Sequence, residues 1–254
     1  MKSLREIVNT RKILIAAHRG NSSNFPENTV AAFQSAVNVG ADMIELDVQF
    51  TKDNQIVVYH NEMLRNTQQN IPELDFDEIK NVDNGSWFAD DFADERISLL
   101  ADIIKKFHSS VYFIIEIKPF FSAQTKTELT QLTTLLMQNN LTQNIVIASF
   151  DTKNLSFVKS INSQINTAAI FNINDKSDSG ANFSPMDYKN ECGCDAIICS
   201  LDELNEEFAA NATQNNIFIG IYGAETKNDV DKCIANNVKV IGTNAPAQII
   251  SYLD

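Results

Sequence analysis

The stretch Ile13-Leu14-Ile15-Ala16-Ala17-His18-Arg19-Gly20 is a short apolar run that ends in charged residues, and similar runs recur along the chain. Most of them are followed by a segment with helical periodicity, which is typical of α/β proteins. We predict eight strands, at residues 13–17, 43–49, 111–117, 145–149, 167–171, 195–199, 217–222 and 238–242. Eight strands that mostly alternate with helices predict a closed α/β barrel.

Between these strands, apolar residues recur at the three- and four-residue spacing of an amphipathic helix. The first such segment contains Val30, Phe33, Ala36 and Val37 and is followed by Gly40, a residue that commonly ends helices. The predicted helices are residues 29–39, 98–108, 124–139, 152–161, 201–213 and 226–236, with a last one around 249–253.

Residues 56–59 interrupt the alternation of strands and helices. They follow the second strand after only residues 51–55, which are too few for a crossover between parallel strands, so we predict a β-hairpin. The hairpin brings His60 towards Asp47. Residues 61–97 then become an insertion in a single domain that spans residues 1–254. The only tryptophan, Trp87, lies in this insertion. We interpret the insertion as a surface lid that shapes a pocket, and the alternative is a hydrophobic plug that packs on the barrel.

The composition restricts the possible partners. The 254 residues carry a formal net charge of −13, which disfavours nucleic acids and anionic bilayers because binding to both relies on clustered Lys and Arg. An anionic substrate would therefore need a local positive site. The apolar runs are too short to span a membrane or to form a signal peptide, and the four cysteines lack metal-site spacing. We expect a cytoplasmic protein with reduced thiols and no stable membrane association; oligomeric state is not predicted.

Titratable side chains collect at the predicted strand ends. His18 and His60 each close an apolar run, and Glu45 and Asp47 alternate on the second strand. Alternate residues of a strand point to the same face, so both carboxylates share one side of the sheet. Two imidazoles and two carboxylates so arranged indicate a metal-assisted acid/base site.

A third carboxylate, Glu116, lies two residues before Lys118 on the next predicted barrel strand, so both side chains can face inward. Functional groups of such barrels gather at the carboxyl ends of the strands. Glu45, Asp47 and Glu116 would offer the hard oxygen ligands preferred by one divalent cation, Mg²⁺ or Ca²⁺, and not those typical of zinc. A purely structural alternative is that Glu45 and Asp47 form buried salt bridges with Arg19 and Lys118, but charges on an inward strand face are costly without a task.

The motifs that contain these residues resemble those of the glycerophosphodiester phosphodiesterase family. The resemblance covers most of the chain and is specific in combination. The matching motifs are His18-Arg19-Gly20 with Pro26-Glu27-Asn28-Thr29, Glu45-Leu46-Asp47-Val48 with Thr51-Lys52-Asp53, Glu116-Ile117-Lys118, and Ser149-Phe150.

The resemblance implies a TIM barrel, with residues 61–97 as the family's usual insertion. It also implies hydrolysis of glycerophosphodiesters, such as glycerophosphocholine, to glycerol 3-phosphate and an alcohol. The implied roles are an acid/base pair, His18 and His60; phosphate-binding residues, Arg19 and Lys118; and metal ligands, Glu45, Asp47 and Glu116.

Three positions depart from the family pattern. Asn61 stands where an Asp usually follows the second histidine, Gly220-Ile221-Tyr222-Gly223 replaces Trp-Thr-Val-Asn, and Asn244 replaces the Asp of a Thr-Asp-x-Pro motif. We expect that the chemistry is kept and that an aromatic wall of the pocket is lost. The departures leave open a changed alcohol group or a weakened enzyme. Two alternative functions are a lysophospholipid phosphodiesterase of the same fold and a catalytically silent binding protein.

Overall fold

The computed structural model describes residues 1–65, 67–118, 125–171 and 184–253. The strands are β1 (Leu14–His18), β2 (Met43–Phe50), β3 (Ile56–Val58), β4 (Ser98–Leu99), β5 (Tyr112–Ile117), β6 (Ile145–Ser149), β7 (Asn166–Ile170), β8 (Ala196–Ser200), β9 (Phe218–Tyr222) and β10 (Val240–Thr243). The α-helices are α1 (Leu4–Thr10), α2 (Val30–Asn38), α3 (Phe76–Ile79), α4 (Leu100–Phe107), α5 (Thr125–Gln138), α6 (Thr152–Ile161), α7 (Pro185–Cys192), α8 (Glu206–Gln214), α9 (Lys227–Ala235) and α10 (Pro246–Ser251).

Eight parallel strands close into a barrel, as the sequence predicts. Their order around the barrel is β1, β10, β9, β8, β7, β6, β5 and β2, and β2 returns to β1. The closure is visible at Ala17, which pairs with Thr243 of β10 on one side and with Ile44 of β2 on the other. Helices cover the outside, so the architecture is the predicted TIM barrel.

The predicted hairpin is also confirmed. Val48 of β2 pairs with Val58 of β3 in an antiparallel register, and the Tyr59 amide donates to the Asp47 carbonyl over 3.1 Å. Thr51 shapes the turn because its hydroxyl accepts a hydrogen bond of 2.8 Å from the Gln55 amide, and Asn54 adopts a left-handed φ of 60°. The hairpin thus places residue 60 at the carboxyl ends of the barrel strands.

The insertion between β3 and β4 has a small core of its own. This core includes Tyr59, Leu64, Ile71, Ile79 and Ile97, all of which are buried. The chain then re-enters the barrel through β4, which pairs with β3, so the helix predicted from residue 98 begins at Leu100 instead. The difference arises because Ser98 and Leu99 extend the hairpin sheet before the helix starts.

Three α-helices escaped the sequence prediction, namely α1, α7 and the four-residue α3 inside the insertion. In α7 only Pro185 and Cys192 are buried, so the segment has too few apolar positions to show a helical period. The short α1 begins with a capping box between Ser3 and Glu6. Its Leu4 packs with inward-facing barrel residues, and α1 therefore covers the amino-terminal end of the barrel.

Strand alternation divides the core into two layers. Outward residues such as Ile15 and Ile44 pack with the helices, whereas inward residues such as Leu14, Met43 and Ile114 form a second cluster inside the barrel. The inward-facing core residues and the predicted catalytic residues lie at alternate positions of the same strands, so they share the inner face of the barrel.

Within the described ranges, no helix has the length and apolar character needed to cross a bilayer.

Candidate active site

Two neighbouring strands, β2 and β5, bring the predicted carboxylates together on the inward face, and β1 places His18 beside them. Asp47 of β2 pairs in register with Glu116 of β5, and Glu45 of β2 pairs with His18 of β1. One carboxylate oxygen from each of Glu45, Asp47 and Glu116 lies within 4.8 Å of the others. All three side chains are buried, and Asp47 is fully inaccessible.

The donor set suits a hard divalent cation. Burial, together with the charges of Asp47 and Glu116, raises the pKa of the Glu45 carboxyl well above its ordinary value. Glu45 Oε1 is buried and accepts no hydrogen bond from any described residue. Burying this oxygen without a partner, next to two further carboxylates, costs free energy. A bound Mg²⁺ or Ca²⁺ would remove this cost by coordinating the oxygen.

Two cationic side chains face the same carboxylates. Lys118 Nζ lies 2.7 Å from Asp47 Oδ1 and also contacts Glu116, while Arg19 Nε lies 3.2 Å from Asp47 Oδ2. Burial disfavours the ionised form of Asp47, but the charges of Lys118 and Arg19 outweigh this effect and hold its pKa below the ordinary value. The site therefore holds local positive charge in a protein whose net charge is strongly negative.

Each predicted catalytic histidine is bonded to an asparagine. His18 Nδ1 lies 2.6 Å from Asn244 Oδ1, and His60 Nδ1 lies 3.0 Å from Asn61 Oδ1. An amide oxygen only accepts, so Nδ1 of each ring carries the proton and Nε2 is the free nitrogen of the neutral imidazole. Burial lowers the pKa of both imidazoles below the ordinary 6.5, with the Arg19 charge adding to the effect.

The loop after β1 fixes the carboxylates in place. The Arg19 amide donates to Glu45 Oε2 over 2.9 Å, and the Asn28 side-chain amide donates to Asp47 Oδ2 over 2.8 Å. Both Arg19 and Asn28 adopt left-handed backbone conformations, with φ of 56° and 57°. The sequence alone assigns no role to Asn28. The only signal for it is its place in the Pro26-Glu27-Asn28-Thr29 motif.

The insertion reaches the site through an ion-pair network. Glu27 Oε2 accepts from Arg19 Nη1 over 2.7 Å, and Glu27 also pairs with Arg65 of the insertion. The Arg65 guanidinium stacks 3.8 Å from the centre of the Trp87 ring, which is 45% exposed. Trp87 therefore lies on the surface, not as a buried plug, and is linked to Arg19 of the site by the contacts of Arg65 and Glu27.

These groups open on a cavity of about 750 Å³ at the carboxyl ends of the strands. Asp47 lies behind the carboxylates that face the cavity, and Gly220 and Asn244 also line it. The predicted site residues that line the cavity are His18, Arg19, Glu45, His60, Glu116 and Lys118. The third histidine, His108, lies apart from the site at the carboxyl end of α4.

Fold and site together define a TIM barrel with an acidic, two-histidine centre at the carboxyl ends of its strands. The chain belongs to the glycerophosphoryl diester phosphodiesterase family, whose family model matches residues 18–248.

Curated relatives agree with this assignment. YhdW of Bacillus subtilis is 38% identical over 159 residues, which are 61% of this chain and 65% of that protein. A protein of Caldanaerobacter subterraneus named glycerophosphodiester phosphodiesterase is 38% identical over 152 residues, 58% of this chain and 62% of that protein. The matched stretch thus spans slightly less than two thirds of either relative.

Solved structures share the fold. An Oleispira antarctica phosphodiesterase, solved with its product sn-glycerol-3-phosphate, superposes with a TM-score of 0.84 at 18% identity, over 97% of this chain and 99% of that one. A glycerophosphodiester phosphodiesterase from Agrobacterium tumefaciens superposes with a TM-score of 0.81 at 21% identity, over 94% of this chain and 99% of that one.

Proposed function

We propose that this protein hydrolyses glycerophosphodiesters, such as glycerophosphocholine or glycerophosphoethanolamine, to glycerol 3-phosphate and an alcohol. The observation that carries the proposal is the convergence, around one cavity, of three carboxylates, two cations and two oriented imidazoles. The family assignment supports it. We infer that the whole chain acts as one catalytic domain on a small-molecule substrate, and cytoplasmic location stays a prediction from the sequence.

Glu45, Asp47 and Glu116 would hold one divalent cation, Mg²⁺ or Ca²⁺. When bound, such an ion stabilises negative charge that develops on phosphoryl oxygens. Arg19 and Lys118 lie against these carboxylates and would bind the non-bridging oxygens of the same phosphate. Fixed positive groups in a water-poor site stabilise the transition state because they need no reorganisation as charge develops.

His18 and His60 would share the proton transfers. With Nδ1 held by an asparagine, each ring presents Nε2 to the reaction. One imidazole takes the proton of the attacking oxygen, and the other, protonated, gives its proton to the leaving alkoxide, so that one water is consumed in the overall hydrolysis. Asn61 and Asn244 would act as positioning residues that fix the tautomer and the direction of each ring.

A coupled assay for released glycerol 3-phosphate tests this function directly. Purified protein should release glycerol 3-phosphate from glycerophosphocholine or glycerophosphoethanolamine, and His18→Ala and His60→Ala should release far less. His108→Ala is the matched control because His108 caps α4 away from the cavity. No release from any headgroup, in protein that binds a divalent cation, would favour the alternative of a silent binding protein.

A further inference from the structure

Gln49 is a buried polar residue next to the site. It lies on β2 two residues beyond Asp47, so its side chain is on the same face of the strand as the carboxylates of Glu45 and Asp47. The whole residue is inaccessible to solvent. Burying an amide group costs free energy unless hydrogen bonds compensate it. The position of Gln49 therefore points to a task for its side-chain amide.

The Gln49 amide donates to the chain on both sides of His60. Its Nε2 donates to the Tyr59 carbonyl over 3.1 Å and also to the Asn61 carbonyl. An amide nitrogen carries two protons, and the two carbonyls use both of them. Gln49 Oε1, in contrast, has no hydrogen-bond partner among the described residues. The burial of Gln49 is thus compensated through its donors, which hold the backbone that carries His60.

The backbone at His60 depends on a side-chain donor because β3 ends two residues earlier. The Tyr59 amide still donates to the Asp47 carbonyl, as in an antiparallel ladder. A regular ladder would return a second bond from the Asp47 amide to the Tyr59 carbonyl. The Asp47 amide donates to Asn28 Oδ1 over 3.3 Å instead. The Gln49 side chain therefore takes the place of the missing backbone donor.

The same contacts determine the direction of the imidazole ring. His60 Nδ1 lies 3.0 Å from Oδ1 of Asn61, whose backbone carbonyl is one of the two groups that Gln49 holds. Tyr59 is anchored in the core of the insertion, and its hydroxyl accepts from the Arg65 amide over 3.1 Å. Of the three consecutive residues 59–61, His60 is the one that lines the cavity. Fixing its two neighbours thus fixes the ring.

We propose that Gln49 is the positioning residue of His60 and that its amide sets where Nε2 of this ring meets the reacting oxygen. This inference rests on the proposed function, in which His60 transfers a proton. Proton transfer needs the two atoms within about 2.6–3.2 Å of each other. A displacement of about 1 Å lowers a rate by roughly 10²-fold. The structural alternative is that Gln49 stabilises only the fold of the hairpin.

Steady-state kinetics of Gln49→Met distinguish these two roles, because methionine keeps the length of the side chain and removes both donors. With glycerophosphocholine and Mg²⁺ or Ca²⁺, kcat should fall about 10- to 100-fold. KM and ion affinity should change less than about threefold, since the phosphate and ion sites keep their residues. An unchanged kcat in folded Gln49→Met would overturn the proposal.

Gln131→Met is the matched control. Gln131 Nε2 donates to the Asn54 carbonyl over 2.7 Å, so it also holds a backbone carbonyl of this hairpin, but in the turn away from His60. The variant should keep the wild-type kcat. A loss of kcat in Gln131→Met as large as that in Gln49→Met would show that general loosening of the hairpin is the cause, and it would overturn the proposal.

A double-mutant cycle tests whether Gln49 acts through His60. Added to His60→Ala, Gln49→Met should lower kcat less than about threefold further, because no imidazole is left to position. The same 10- to 100-fold loss in both backgrounds, which is expected if Gln49 supports the carboxylates or the barrel in general, would contradict the proposal.

Thermal unfolding shows whether each variant folds, and Gln49→Leu carries the same test if Gln49→Met is unstable. The wild type also offers a measurement that needs no variant. Both side-chain amide protons of Gln49 should exchange slowly with solvent in NMR spectra, because both are hydrogen-bonded in the interior. Rapid exchange of either proton would overturn the proposal.

Nitrogen NMR of the imidazole rings separates this proposal from the proposed reaction because it needs no turnover. At about pH 8.5 the rings are neutral, and Nδ1 of His60 should carry the proton in the wild type. Gln49→Met should mix the two tautomers of His60 and leave His18 unchanged. An unchanged His60 signal would refute the positioning role alone. The expected change, in a protein whose wild type releases no glycerol 3-phosphate, would refute the reaction alone.

Discussion

The two sides of the barrel interior contrast in nearly every physical property. The charged wall, which we define as the inward residues of β1, β2 and β5 at the carboxyl ends, buries three carboxylates beside Arg19 and Lys118. The wall opposite consists of the inward residues of β8, β9 and β10, and we name it the open wall because its small and aliphatic residues line the cavity and are mostly half-buried. The charged wall fixes groups that would act on any phosphodiester, and the open wall determines which groups attached to the phosphate can fit.

The charged wall is also tightly constrained. Asp47, for example, contacts Asn28, Arg19 and Lys118, so three partners fix the position of its carboxylate. Substitutions there should reduce the reaction itself because the positions of the charges are preorganised. Substitutions on the open wall should change relative substrate preference and cost less.

The largest effect is expected at the carboxylates. Glu116→Gln removes one charge from the proposed metal site and should lower kcat/KM about 10³-fold or more, to the level of the chelated protein. Steady-state assays and calorimetric titration of Mg²⁺ or Ca²⁺ measure both changes. Glu207→Gln, on the exposed surface of α8, is the matched control. Normal activity and ion affinity in Glu116→Gln would remove this residue from the charged wall's function.

The second-largest effect is expected for His60→Ala. This substitution should lower kcat by about 10²–10⁴-fold, which is the usual contribution of general acid/base catalysis. Ion affinity should change little. The wild-type pH–rate profile should be bell-shaped, and the variant should lose one limb. A nitrophenolate leaving group needs little protonation and should recover much of the rate if His60 is the acid. Near-normal kcat on glycerophosphocholine would show that His60 is structural.

A smaller effect is expected from the asparagine that holds His18. Asn244→Ala should lower kcat by about tenfold because one hydrogen bond, contributing about 1–2 kcal/mol, fixes the ring. Asn244→Asp should keep the orientation and raise the pKa of His18, since a carboxylate stabilises the imidazolium that burial disfavours in the wild type. NMR titration of the imidazole protons tests both: the wild-type midpoint should lie below 6.5, and an unchanged midpoint in Asn244→Asp would show that the contact is absent in solution.

The smallest change in overall rate is expected on the open wall. Gly220→Trp should alter KM and headgroup preference by several-fold, while ion affinity stays the same. The measurement is kcat/KM across a panel of glycerophosphodiesters for the wild type and the variant. An identical preference profile in a stably folded variant would show that position 220 does not contact the substrate.

The charged wall could be predicted from sequence because its residues lie in short motifs on consecutive barrel strands. His18, Glu45 and Glu116 needed only strand alternation and the common direction of parallel strands. The hairpin followed from the five residues between β2 and β3. The contact of Asn244 with His18, 226 positions apart, depends on closure of the barrel between β1 and β10 and has no local signal.

The open wall could not be predicted because its defining feature is the small size of its side chains, which forms no motif in the sequence. Alanines and glycines carry no signal in separate strands, and only the register of β8 with β9 shows that Ala196, Gly220 and their neighbours line one space. In the same way, the sequence located Trp87 in the insertion, but its stacking on Arg65 depends on tertiary contacts.

An add-back titration tests most directly whether the charged wall holds a divalent cation that is essential for phosphodiester hydrolysis. Protein is stripped with chelator, and glycerol 3-phosphate release from glycerophosphocholine and ion binding are followed together as Mg²⁺ or Ca²⁺ is restored. We expect no activity in the chelator and a return of activity that tracks occupancy of one ion per chain. Full activity in excess chelator would show that hydrolysis does not depend on a cation at this wall.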